Sequence, residues 1–242
     1  MLVTGASSGI GEATARLLAE RGAALAVAGR DGEALAKVAA DTGGSAIPGD
    51  LTAPGVARAT VAAAAAELGG LDLLVSNAGA GWAGPFADMS PAAIDALLDV
   101  NLRAAGHLVS AALPHLRRRP GRVVLVGSIA GLLDLPGEAW YSATKAGLAG
   151  FARALREELR PEGITVNLVV PGVVATRFFE RRNRPYDRSR PRPLAPERVA
   201  ACLVAAIERD TAVALVPGWL TVPARLHAAL PGLYRTLAGR LS

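Results

Sequence analysis

Tyr141 and Lys145 stand four residues apart in Trp140-Tyr141-Ser142-Ala143-Thr144-Lys145-Ala146-Gly147, thirteen residues after Ser128. On a helix, positions i and i+4 share a face, which sets an ammonium beside a phenol. Free tyrosine titrates near ~10, and a fixed positive charge favours the phenolate. Bringing the phenol to ~7 needs roughly 4 kcal/mol, within reach of a neighbouring cation joined by a charged cofactor. Such a tyrosine would exchange protons at neutral pH as a general acid or base. The chain carries 24 arginines and only two lysines, Lys37 and Lys145. A sequence this rich in arginine places lysine where a compact ammonium is wanted instead of a planar fork. A solvated lysine beside a packed tyrosine would have the same spacing, so the pair must be read with the rest of the chain.

A second constellation lies near the start, in Thr4-Gly5-Ala6-Ser7-Ser8-Gly9-Ile10-Gly11. Between a strand and a helix, Gly5 permits a tight turn, Gly9 lets a pyrophosphate approach the backbone, and Gly11 permits close helix packing. The helix N-terminus offers N–H groups and a positive dipole end to phosphate. The spacing is G-x-x-x-G-x-G, distinct from the G-x-G-x-x-G dinucleotide fingerprint. In Val27-Ala28-Gly29-Arg30-Asp31, Gly29 takes the place where an NAD site usually has an acidic residue, and Arg30 follows. A guanidinium suits a 2′-phosphate, so the expected cofactor is NADP, with NAD second. Asp31 reads as the N-cap of the next helix.

The elements that must position these groups alternate in type. Apolar strands are expected at Leu2–Val3, Ala24–Ala28, Ser45–Pro48, Leu71–Ser76, Arg122–Val126, Ile164–Val170 and Val213–Val216. Helical patterns run over Gly9–Arg21, Asp31–Asp41, Pro54–Leu68, Pro91–Leu116, Ala139–Leu159 and Pro196–Glu208. This alternation predicts an α/β fold: a Rossmann-type doubly wound parallel sheet of about seven strands in a three-layer α/β/α domain. Only three residues precede the glycine motif, so the first strand is short or begins upstream. The whole chain reads as one domain, with residues 1–170 as the cofactor-binding and catalytic core. Residues 173–194 form a long irregular loop suited to substrate, and residues 219–242 an amphipathic tail that Pro231-Gly232 divides into two short helices.

The glycine motif, Asn77-Ala78-Gly79, Asn101, Ser128, Tyr141-x-x-x-Lys145 and Pro171-Gly172 occur in an order and spacing that resembles the short-chain dehydrogenase/reductase family. The resemblance runs from residue 4 to about 176. It implies that Tyr141 exchanges a proton with a carbonyl or alcohol oxygen, that Ser128 hydrogen-bonds that oxygen, and that Lys145 lowers the tyrosine pKa and binds the nicotinamide ribose. It further implies that Asn101 holds a water linking Lys145 to solvent. Cofactor contacts are implied for Gly5, Ser7, Ser8, Gly9, Ile10, Gly11, Arg30, Asp50, Leu51, Asn77, Ala78, Gly79, Tyr141, Lys145, Pro171, Gly172, Val174 and Thr176. Asp50 and Asn77-Ala78-Gly79 also suit plain turns, and Thr176 an N-cap. The implied function is an NADP-dependent oxidoreductase interconverting a ketone or aldehyde with an alcohol, and the family's habit is homodimers or homotetramers. Two other readings are a non-catalytic dinucleotide sensor and a peripheral membrane protein; the intact Ser-Tyr-Lys-Asn set disfavours the first.

Composition narrows the rest. Hydrophobic content is 51% and net charge is +5. No apolar run reaches the ~18–20 residues of a membrane span. No signal peptide is evident and Cys202 stands alone, which fits a reducing, cytoplasmic setting. His107, His115 and His227 lack ligand spacing, so no metal is expected. Aromatics are only 4%, too few for a nucleic-acid surface. The apolar segments Gly81–Phe86 and Gly131–Pro136, with Phe178, Phe179 and Tyr186, should rim a pocket for a lipophilic small molecule. Arg177, Arg181, Arg182, Arg184, Arg188, Arg190 and Arg192 cluster in the long loop and read foremost as a solvated stretch, with an acidic carrier or anionic lipid as sharper readings. The tail's leucines, Leu226, Leu230, Leu233, Leu237 and Leu241, suit packing on the domain or a partner subunit better than a membrane surface.

Overall fold

The computed structural model describes residues 1–118, 120–182, 184–187 and 191–238. In chain order it runs β1 (Leu2–Thr4), α1 (Gly9–Glu20), β2 (Ala26–Gly29), α2 (Gly32–Thr42), β3 (Ser45–Pro48), α3 (Val56–Leu68), β4 (Leu73–Ser76) and α4 (Pro91–Leu98). It continues with α5 (Ala104–Leu116), β5 (Arg122–Val126), α6 (Ala139–Leu159), β6 (Thr165–Pro171), α7 (Pro196–Glu208), β7 (Val213–Val216), α8 (Thr221–Ala229) and α9 (Pro231–Ala238). The strands form one parallel seven-stranded sheet in the order β3-β2-β1-β4-β5-β6-β7. This is the expected doubly wound architecture.

Strand alternation divides the core in two. Leu2, Ala26, Ala28, Leu74, Val123 and Leu125 point to the face covered by α3, α5 and α6. Val3, Val27, Val75, Val124, Val126 and Val169 point to the face covered by α1, α2 and α7. Cys202, half-buried on α7, belongs to the second face as a packing residue. β1 is only three residues long, yet it is buried throughout and pairs with β2 and β4. The strand order reverses there, so the carboxyl ends of β1 and β4 open a crevice between diverging loops.

The stretch expected over 91–116 is helical throughout, with a π segment inside it. α4 and α5 are joined by a π-turn at Asp99–Arg103, which contains Asn101. The apolar spacing runs through the turn, because one extra residue rotates the following helix without interrupting its buried face. The tail does divide at Pro231, but its stripe is only partly covered: Leu230 and Leu233 stay half exposed, as does Trp219, and Val222 is largely exposed. The side chain of Leu237, and Leu241 altogether, lie outside the described residues. Among the described residues no helix is long and apolar enough to cross a membrane, and no cluster of His, Cys, Asp or Glu could hold a metal ion.

Candidate active site

The crevice floor is laced together by residues at the strand ends. The Thr4 hydroxyl donates to Val75 O (3.2 Å) and accepts from the amides of Asn77 (3.1 Å) and Ala78 (3.2 Å). Asn77 Nδ2 donates to Thr4 O and Gly5 O at 3.0 and 3.2 Å. Asn77-Ala78-Gly79 is thus fastened to the glycine turn, and Thr4, unremarked in the sequence, is the fastener. Gly9 has φ +60°, and a methyl group there would stand 2.8 Å from Thr176 Cγ2. On Gly11 a methyl would lie 2.2 Å from Gly5 O. Ser8 is the N-cap of α1 but makes no side-chain cap bond, so its hydroxyl does not close off the first-turn amides. A cleft of about 600 Å³ opens along this helix end between Ser8, Gly9, Thr176 and Arg177. These features fit a pyrophosphate lying on the glycine turn.

The flanking residues divide between surface and interior. Arg30 is exposed beside Asp50. The Asp50 carboxylate accepts from Thr52 N (3.0 Å) and Thr52 Oγ1 (2.8 Å), which holds it below its usual range with help from Arg30; this is the turn role. Asp31 caps α2 by accepting from Ala34 N at 3.1 Å. Leu51 and Val174 are buried, Ser7 and Ile10 half-buried. Pro171 and Gly172 close β6, with Gly172 against Leu220. Thr176 Oγ1 accepts from Phe178 N at 3.3 Å, a local turn bond.

On the other side of the crevice, the Ser128 hydroxyl hydrogen-bonds the Tyr141 phenol and accepts from Ala130 N (3.2 Å). Lys145, 5% exposed, donates to Val126 O at 3.1 Å. Asn101 clasps Ala80 both ways: Oδ1 accepts from Ala80 N (3.0 Å) and Nδ2 donates to Ala80 O (2.9 Å). Nδ2 also donates to Thr144 Oγ1 (3.1 Å), which in turn donates to Tyr141 O (2.8 Å). Thr144 lies inside the Tyr-to-Lys spacing and escaped notice there. A methyl on Gly79 would sit 2.9 Å from Asn101 Oδ1 and 3.4 Å from Lys145 Nζ, so these two polar groups face one small space.

The electrostatics depart from expectation. Burial pushes the Tyr141 phenol up to about 12, against the lowering effect of Ser128. The charges acting on it are Glu138, which raises it, and Arg182, which lowers it. Burial also brings the Lys145 ammonium down to about 8, and it is turned to a carbonyl. The expected lowering of the phenol by Lys145 is therefore absent from this structure: the ammonium is turned to Val126 O, and burial sets the direction.

The three apolar segments do converge. Tyr141 packs in a cluster with Met89, Leu97, Trp82, Ile94, Leu135 and Phe178. Trp140 Nε1 donates to Ile94 O at 2.8 Å. Ring centroids step outward from Tyr141 to Phe178 (5.7 Å), Phe179 (5.4 Å) and Tyr186 (5.3 Å). The arginine-rich loop is not uniformly solvated. Arg177, Arg181, Arg184 and Arg192 are exposed, but Arg182 is 8% exposed and pairs with Glu138 at 2.5 Å. Arg188 and Arg190 lie outside the described residues.

Comparison with known proteins bears on the family and the fold. The family described as short chain dehydrogenase matches residues 1–187. Nodulation protein G of Rhizobium sp. (strain N33) is 40% identical over 185 residues, covering 75% of this chain and 76% of that one. A short-chain dehydrogenase from Sphingobium yanoikuyae in complex with NADPH superposes with a TM-score of 0.83 at 30% identity, over 98% of this chain and 94% of that one. A short chain dehydrogenase/reductase from Burkholderia phymatum in complex with NAD gives 0.85 at 25% identity, over 94% and 92%. The chain belongs to the short-chain dehydrogenase family.

Proposed function

We propose that this oxidoreductase interconverts a lipophilic ketone or aldehyde with its alcohol, using NADP. The observation that carries the reading is the assembly of Ser128, Tyr141, Lys145 and Asn101 at the end of a crevice whose other wall is a glycine cradle. A bound nicotinamide cofactor supplies the hydride. Tyr141 supplies the proton: the phenol is protonated at neutral pH, and Lys145 with the bound cofactor would have to offset the burial that holds it near 12 for it to give that proton up. Ser128 shares that oxygen and stabilises its developing charge. Lys145, buried and close to its titration point, would hold the ribose hydroxyls and favour the phenolate that donation leaves behind. Asn101, facing the same space as Lys145 Nζ, would pass the replacement proton from solvent through a water. The apolar cluster around Tyr141 excludes water and favours an apolar substrate.

Tyr141→Phe is the direct test, because the ring still packs while the proton is lost. Turnover of NADPH with a panel of ketones and aldehydes should fall well beyond tenfold, the equivalent of about 1.4 kcal/mol, with NADPH affinity within a few-fold. A variant retaining more than a tenth of wild-type kcat would remove Tyr141 from the chemistry.

A further inference from the structure

Arg182 is a buried cation in a loop whose other described arginines are exposed. Burying a guanidinium costs heavily unless it is paired and hydrogen-bonded. Here Nη1 donates to Glu138 Oε1 at 2.5 Å, Nε donates to Arg184 O at 3.1 Å, and the guanidinium lies 4.5 Å from the Phe179 ring centroid. Its own carbonyl accepts from Ala83 N at 3.1 Å. Gly84 N donates to Gly137 O at 2.8 Å, next to Glu138. The segments 81–86, 131–138 and 177–186 therefore meet at one residue.

What they cover is Tyr141. Phe178 lies on its ring, and Gly81 makes room for Phe178: a methyl on Gly81 would come within 2.4 Å of Phe178 Cζ. Tyr141 is 7% exposed beneath this cover. A carbonyl must come within hydrogen-bond distance of the phenol to receive its proton, so the cover has to lift at each turnover. Glu138 is three residues ahead of Tyr141 at the start of α6, so the point of attachment is fixed to the helix that carries the acid.

We propose that Glu138 and Arg182 are positioning residues: their ion pair latches residues 176–182 over Tyr141, and Phe178, held by that latch, sets the bulk of the group that can sit beside the reacting carbonyl. The latch itself rests only on the contacts above; its consequence for substrate size rests on the carbonyl-reducing function proposed here.

Hydrogen exchange of the full-length protein tests the latch without requiring activity. Amides of residues 177–182 should exchange about tenfold faster or more in Glu138→Gln and in Arg182→Gln than in wild type. The double variant should be no faster than Arg182→Gln alone, because that substitution already breaks the ion pair. The double variant leaves no unpaired charge, so it reads the opening even if a single variant fails to fold. Exchange within twofold of wild type, or effects that multiply in the double variant, would overturn the latch. Phe178→Ala supplies the second arm: kcat/KM for a bulky aryl ketone relative to a methyl ketone should rise about tenfold, mostly through KM. An unchanged ratio would overturn the role of Phe178. If wild type reduces no carbonyl while exchange responds as described, the latch stands and the proposed function falls.

Discussion

Lys145 bears opposite demands at one atom. In the proposed reaction its ammonium acts where ribose and phenol meet, yet burial has already brought it down to about 8 from 10.5. Holding it charged at neutral pH therefore costs the fold about 3 kcal/mol. Lys145→Met should accordingly stabilise the protein at pH 7 by about 1–3 kcal/mol while eliminating turnover, as functional residues often trade stability for activity. Chemical denaturation of both proteins measures this, and a destabilised Lys145→Met would mean that the bond to Val126 O outweighs the burial cost. Cofactor choice also belongs to single residues. A Cβ on Gly29 would meet Ser7 Oγ at 3.7 Å and Leu35 at 3.8 Å, ordinary contact distances, so the backbone there admits a side chain's first carbon. If the proposed use of NADP holds, wild type prefers NADPH by about ten- to over a hundredfold, the 1.5–3 kcal/mol of a charge-assisted contact, and the paired change Gly29→Asp and Arg30→Ile should reverse that preference. The ratio of kcat/KM for NADPH and NADH with one shared substrate decides it; a wild-type ratio near one would mean that Arg30 points into solvent.

Among the elements, the π-turn between α4 and α5 has the clearest local purpose. It carries Asn101 inward, where one side chain satisfies both backbone groups of Ala80 and reaches Thr144. Asn101→Ala would strand those part-buried groups, and thermal or chemical unfolding should report a loss of about 1–3 kcal/mol, beyond any effect on turnover. A loss under about 1 kcal/mol would mean that water replaces the amide at little cost. The sequence disclosed most of the framework around this turn. β3, β5, α6, α7 and β7 begin and end where turn residues and apolar periodicity place them, because Pro, Gly and charged residues stop the runs sharply there. The π-turn was hidden, since the apolar spacing continues across it; only a lone asparagine in an apolar stretch hinted at it. Ser128, Tyr141 and Lys145 were legible because the chemistry proposed for them depends on close, fixed spacing. Glu138 and Arg182 were not: they are 44 residues apart, and nothing in an irregular, arginine-rich loop singles out the arginine that turns inward.

At the scale of the whole molecule, the sheet separates two apolar cores and keeps its reactive groups along one edge. Tyr141 and Lys145 are the site groups whose burial moves them furthest, and they move apart: one up to about 12, the other down to about 8. The signs follow from proton counting. Between about pH 8 and 10.5 the unfolded chain keeps the lysine proton that the folded protein has lost, so stability rises with pH. From 10 to about 12 the folded protein keeps the phenol proton that the unfolded chain has lost, so stability falls. Burial of the Met1 amino group lowers it and adds to the rise at a lower pH, while burial of the Cys202 thiol raises it and works against the rise. Subtracting variant curves isolates the site: the rise between pH 8 and 10.5 should be missing from Lys145→Met, and the fall above 10 should be missing from Tyr141→Phe. Urea denaturation midpoints taken across that range measure both. If the two variants keep the wild-type shape, the active-site pair is solvated in the working protein, and the cover over Tyr141 stands open before any substrate arrives.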